Sequence, residues 1–163
     1  MNAEVSRFWS RFRAAHPDAG SEPFDVFRVG DTDESADGGA DLIVSGIKTA
    51  TSSLPEELVD IGIPFPGALS VVIDGNARPR AVVETMQVSQ TPFGEVDAKF
   101  AHDYGEWDRT LETWKARNGA HYRAVCEGLG LEWHEQRELI CERFKVVFSD
   151  TAHHAPSRSM SHG

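Results

Sequence analysis

The sequence predicts a mixed α+β domain built around a curved or barrel-like antiparallel sheet. Three observations carry this. Strand-like segments lie on both sides of a helical middle, the clearest pair of strands is joined as a hairpin, and strands and helices do not alternate regularly. A doubly wound parallel fold would also need a glycine-rich turn from strand to helix, and no glycine cluster has the GxGxxG spacing.

Near the N-terminus, Val5, Phe8, Trp9 and Phe12 recur at the spacing of one helix face, and the helix must end before Pro17. The polar stretch from Pro17 to Pro23 is a loop, and FDVFRV after it reads as a short strand. Ser35 reads as the N-cap of a second helix, whose apolar positions Ala36, Ala40, Ile43, Val44 and Ile47 run toward a stop near Gly46. TATSSL, rich in β-branched and hydroxyl residues, predicts an extended segment from about Lys48.

Between Pro64 and Phe93 lie a Pro/Gly entry turn, an apolar strand, a tight turn at Asp74-Gly75-Asn76 and a second long strand. The helical middle follows. Val96, Phe100 and Ala101 mark a short helix, and Leu111, Trp114, Asn118, Tyr122, Val125 and Leu129 a longer one with Asp108 as its N-cap. ELICERFKVVF reads as a last strand, with Phe144, Val146 and Phe148 on one face and Arg143, Lys145 and Val147 on the other. Residues 1–150 are therefore expected to form a single domain, and residues 151–163, which lack apolar pattern, a disordered tail.

Composition narrows the function. The chain has 163 residues, 40% hydrophobic and 26% charged, with no apolar run near the roughly 20 residues that span a bilayer. With no signal-peptide pattern at the start, a cytoplasmic location is expected. A formal net charge of −10 disfavours a broad nucleic-acid surface, whereas a neutral nucleoside escapes that repulsion. Cys126 and Cys141 have no metal-ligand spacing and read as core residues. No HExxH, GxSxG or P-loop occurs, so neither a metal nor any other cofactor is expected.

Two constellations could carry chemistry. Lys48 stands just before Thr49, Thr51, Ser52 and Ser53. It is either an ordinary solvated cation near a helix end, beside residues that merely pair across a sheet, or a partly desolvated amine able to activate a hydroxyl. On a regular strand, Thr49, Thr51 and Ser53 share one face, and Lys48, Ala50 and Ser52 the other. In YGEWDRTLE, Glu106 and Asp108 stand beside Tyr104 and Trp107. Asp108 reads as a cap; Glu106 is either a solvated carboxylate or an acid-base group.

The segments FRVGDTDESADGGADLIVSGIKTATSSL, PFGEVDAKFAHDYGEWDRTLETWK and ICERFKVVF, in this order, resemble the ASCH-domain family of the PUA-like superfamily. The resemblance runs from about Phe24 to Phe148 and implies a small curved β-barrel with flanking helices and a cleft for RNA or nucleoside ligands. One fold hosts several activities. Some ASCH proteins are RNA-binding modules, one branch is associated with ribonuclease activity, and another comprises amidohydrolases that deacylate N4-acetylcytidine with a Lys, a Thr and a Glu.

Carried over by motif, that catalytic set is Lys48, Thr51 and Glu106, with Ser52, Ser53, Tyr104, Trp107 and Arg109 expected to bind substrate. The implied partner is a modified pyrimidine nucleoside or, in the alternative, a short single-stranded RNA held through Lys48, Arg109 and aromatic residues. A ribonuclease would use Lys48 to stabilise charge at phosphorus and Glu106 to move a proton. Ser53 stands where the amidohydrolase branch places an arginine, Tyr104 and Trp107 where many relatives have a carboxylate and a glycine, and Asn118 where many have histidine. These departures bear on which base or acyl group is accepted.

Overall fold

The computed structural model of the protein describes residues 1–150; the expected tail lies outside them. Four α-helices accompany five strands, which hydrogen-bond in the order β1-β3-β4-β5-β2. The elements are α1 (Ala3–Ala15), β1 (Asp25–Phe27), α2 (Asp33–Val44), β2 (Ala50–Ser53), β3 (Leu69–Ile73), β4 (Pro79–Pro92), α3 (Ala98–Tyr104), α4 (Leu111–Gly128) and β5 (Glu138–Ser149). The sheet is not wholly antiparallel. β3 with β4 and β2 with β5 are, but β1 lies parallel to β3, with Val26 opposite Val71.

Contacts divide the chain into two interleaved compact units: Met1–Val44 with Leu69–Glu84 and the residues from Val146, and Ser45–Ala68 with Thr85–Lys145. In the first unit the apolar face of α1 behaves as its spacing predicts. Val5, Phe8, Trp9 and Phe12 are buried with Val71 and Val82, each large side chain contributing about 1.5–3 kcal/mol of transfer free energy. Asn2 caps the helix by accepting from the Val5 N–H. Phe148 meets Phe8 and Phe12 edge to face at 5.2 and 5.6 Å. Val147, its neighbour, packs against the same cluster, so the predicted alternation of faces fails at this end of β5.

α2 begins two residues before the expected cap. Thr32 and Ser35 exchange bonds, each hydroxyl accepting from the other's N–H, which puts Ser35 inside the first turn. The hairpin loop also runs past the expected Asp74-Gly75-Asn76 turn, since the Asp74 N–H donates to the Arg78 carbonyl. The Asp74 carboxylate accepts from the N–H groups of Asn76 and Arg78, and the left-handed residue is Ala77 at φ 60°. Gly75 serves close approach instead: a Cβ there would stand 2.4 Å from the Asp33 carbonyl oxygen.

The second unit has its own aromatic core. Trp114 and Tyr122 of α4, Phe93, Phe100 and Tyr104 pack with Leu139 and Cys141 of β5 and with Ala50 and Leu54. Cys126 belongs to this core as well, so both cysteines are buried. α4 is capped by Thr110, whose hydroxyl accepts from the Thr113 N–H, and not by Asp108. Asp108 holds the cap in place, accepting from the Thr110 N–H and hydroxyl and from the Thr113 hydroxyl. Those bonds, from Thr110 first, hold its carboxyl below the ordinary value.

Candidate functional site

The site forms within the second unit, where the entry to β2 meets the end of α3. Gly46, at φ 82°, turns the chain before Lys48, and Thr49 is pinned to α3 because its N–H donates to the Asp103 carbonyl at 2.8 Å. α3 starts at an Asp97 cap and stops at Gly105, which is left-handed at φ 78°. Gly105 also permits contact. A Cβ there would fall 2.6 Å from the Ile47 carbonyl oxygen and 2.7 Å from the Lys48 α-carbon. The backbones touch, and the next residue, Glu106, is delivered to the Lys48 side chain.

Lys48 is 2% exposed, a depth at which lysine is rare unless paired. Its ammonium donates to Glu106 Oε2 at 2.8 Å, to the Ala50 carbonyl at 2.8 Å and to the Tyr104 carbonyl at 3.1 Å. All its protons are thereby engaged. The nitrogen also lies 3.4 Å from the centre of the Tyr104 ring. Burial pushes the Lys48 pKa down, and the charge and hydrogen bond of Glu106 oppose that shift. The Glu106 side chain keeps 17% exposure, so it is the member of the pair that solvent reaches.

The predicted hydroxyl row converges on the other end of the same tyrosine. The Tyr104 hydroxyl donates to Asn118 Oδ1 at 3.2 Å, and Thr51 and Ser52 lie close enough to act on that hydroxyl. Ser52 Oγ and the Tyr122 hydroxyl share a hydrogen bond of 2.6 Å. Tyr122, Ser52, Tyr104 and Asn118 thus form one polar cluster, with Thr51 beside Tyr104. Strand alternation does not separate Thr51 from Ser52 here, and Lys48 lies ahead of β2 and outside its alternation.

Beside this cluster, His121 Nε2 and Glu57 Oε2 are 2.8 Å apart, and the charge of Glu57 reaches both tyrosines. Glu57 also accepts from the Leu54 N–H, fastening the exit of β2 to α4. Tyr122, Glu57 and His121 were not singled out as site residues by sequence reasoning. A signal existed for the network: Asn118 is a polar residue in the middle of the α4 apolar stripe, where it is 5% exposed.

The remaining predicted residues divide. Trp107 is 43% exposed and lies nearly parallel to Tyr104, with ring centres 6.0 Å apart and 17° between planes. Arg109, half-buried, donates to the His102 carbonyl at 2.9 Å. Ser53 stands opposite Ile140 and joins none of these bonds. A cleft of about 210 Å³ in the same unit is lined by Gln87, Ser89, Thr91, Cys141 and Arg143 among others, and not by the Lys48 cluster. Among the described residues no group of His, Cys, Asp and Glu is arranged to hold a metal ion, and no helix is long and apolar enough to cross a membrane.

The family model described as ASCH domain matches residues 25–148. The crystal structure of a protein from Enterococcus faecalis V583 superposes with a TM-score of 0.80 at 28% identity, covering 93% of this chain and 97% of that one. An ASCH domain from Lactobacillus crispatus JV V101 gives the same TM-score and identity, with 90% and 96% covered. No curated protein matches the chain.

Proposed function

The chain belongs to the ASCH-domain family, of α+β, PUA-like fold, and from that premise we propose that it is a hydrolase of an N4-acylated cytidine. The observation that carries the reading is the buried Lys48–Glu106 contact of 2.8 Å, with the hydroxyls of Thr51 and Ser52 gathered on the tyrosine that packs against Lys48. An amine, a carboxyl and an alcohol within reach of one ring are the groups that amide cleavage through an ester intermediate needs.

The steps balance. Burial disfavours the Lys48 ammonium, and in the first step its proton passes to the Glu106 carboxylate 2.8 Å away, which leaves a lone pair on the amine. Thr51 turns its hydroxyl from Tyr104 to that amine and gives up its proton as its oxygen attacks the acyl carbon. The bond from the acyl carbon to the exocyclic nitrogen breaks, and the proton on Glu106 goes to the departing amine. Cytidine leaves. Water, deprotonated by Glu106, then releases the acyl group as a carboxylic acid, and Thr51 recovers its proton from Lys48.

The alternative, an RNA-binding module or ribonuclease, needs Lys48 and Arg109 to face phosphates. Lys48 is sealed from solvent with its protons engaged, and Arg109 spends its guanidinium on a backbone carbonyl. That favours the uncharged nucleoside.

The test is incubation with N4-acetylcytidine and separation of products by chromatography. Cytidine should form with wild type and be lost in Thr51→Val and Glu106→Gln. Absence of cytidine with wild type, or equal turnover by Thr51→Val, removes the reading. Cleavage of a short RNA that disappears in Glu106→Gln would promote the ribonuclease instead.

A further inference from the structure

From Gly105 to Arg109, left-handed backbone recurs at every second residue: φ is 78° at Gly105, 56° at Trp107 and 64° at Arg109. Gly105 adopts this without strain; the other two do not. Arg109 has an evident return, because its side chain ties the loop to the His102 carbonyl and ring. Trp107 has none of that kind. Among the described residues its indole makes no hydrogen bond, and much of the ring faces solvent, so burial does not explain why a bulky aromatic holds a glycine conformation.

What the conformation achieves is placement. The indole is laid nearly parallel to the Tyr104 ring, and its residue directly follows Glu106 in the chain. Exposure rises from Lys48 at the bottom, through the Glu106 side chain at 17%, to Trp107 at 43%, so the indole stands at the outer edge of the reactive pair. The Arg117 guanidinium of α4 lies 5.6 Å from the indole centre, a cation suited to lie over a ring. A rigid, exposed aromatic plane beside a carboxyl is how proteins take up flat heteroaromatic rings, because every base offers a π-face.

We propose that Trp107 is the specificity-determining platform of the site: a heteroaromatic ring of pyrimidine size lies against the indole, beside Arg117, with its exocyclic substituent directed to the Glu106 carboxyl. The orientation of the substituent rests on the hydrolase reading above; the stacking of the ring does not. The ligand is recognised first as a flat ring and second by the group it carries. A non-aromatic amide of equal size would lack the first contact.

Trp107→Gly separates platform from packing, since glycine suits φ 56° and removes only the ring. Cytidine binding by calorimetry, the melting temperature, and KM and kcat for N4-acetylcytidine are measured for wild type, Trp107→Gly and Trp107→Phe. The platform predicts cytidine affinity lower by about tenfold or more in Trp107→Gly and largely restored in Trp107→Phe, KM raised more than kcat is lowered, and a melting temperature equal to or above wild type. If wild type binds cytidine but leaves N4-acetylcytidine intact, the hydrolase reading falls, while the platform still stands on the affinity loss. Wild type that binds no pyrimidine nucleoside, or Trp107→Gly that binds cytidine as tightly as wild type, overturns the proposal.

Discussion

Gly105 and Lys48 touch backbone to backbone: a single methyl on Gly105 would sit 2.7 Å from the Lys48 α-carbon. The left-handed end of α3 and the start of β2 are therefore one structural decision, and Glu106 meets Lys48 because the residue before it has no side chain. Gly105→Ala combines a forbidden φ with a clash against main chain that cannot rotate away. It should cost about 1–3 kcal/mol or more, each kcal/mol lowering the melting temperature by roughly 2–4 °C in a chain of this size. Thermal unfolding checks this, and turnover should be lost with it.

The buried pair itself predicts non-additive energetics. Breaking such a pair by removing one partner costs about 3–5 kcal/mol, and the partial exposure of Glu106 places this one toward the low end. Lys48→Met should destabilise by that amount because it leaves a carboxylate beside apolar atoms. Lys48→Met with Glu106→Leu should recover most of the loss. Urea unfolding of the two single variants and the double closes the cycle.

Much of this arrangement is written in local sequence. The apolar face of α1, the β3–β4 hairpin, the lysine motif and the Tyr104-Gly105-Glu106 segment can each be read within a few residues, whereas the meeting of the last two cannot, because Lys48 and Tyr104 are 56 residues apart. Caps are harder, because Ser35 and Asp108 are good capping types that stand three and two positions from the residues, Thr32 and Thr110, that do the work. The parallel pairing of β1 with β3 and the bond between Ser52 and Tyr122, 70 residues apart, carry no local signature at all. Trp107 was legible as an aromatic near the site. Its left-handed backbone was not, since nothing in the residue type announces it.

Alkaline pH should expose the buried titratable groups of the second unit. Burial raises the pKa of Tyr104 and Tyr122 above 10.0 and pushes that of Cys141 up to about 11 from 9.0. Above those ordinary values the unfolded chain sheds protons that the fold retains, so stability falls as pH rises. Lys48 acts oppositely. Its pKa is lowered by burial, so between the folded value and 10.5 the unfolded chain holds the extra proton and stability rises with pH. Urea midpoints from pH 7 to 11 should show both limbs. Tyr104→Phe with Tyr122→Phe should flatten the fall, and Lys48→Met should remove the rise.

The start of α4 offers a control away from the chemistry. Thr110→Ala removes the cap hydroxyl and should cost about 1 kcal/mol. Asp108→Ala, which loosens that cap without removing it, should cost less. Equal losses in thermal unfolding would return the capping role to Asp108.

The most direct measurement of the central claim is the intact mass of the protein after rapid quenching with N4-acetylcytidine. The account predicts a species heavier by one acetyl group, carried on Thr51, absent from Thr51→Val and from Lys48→Met and accumulating before cytidine release reaches steady state. Cytidine formation with no acylated protein at any time, or an acetyl group found on another residue, would contradict it.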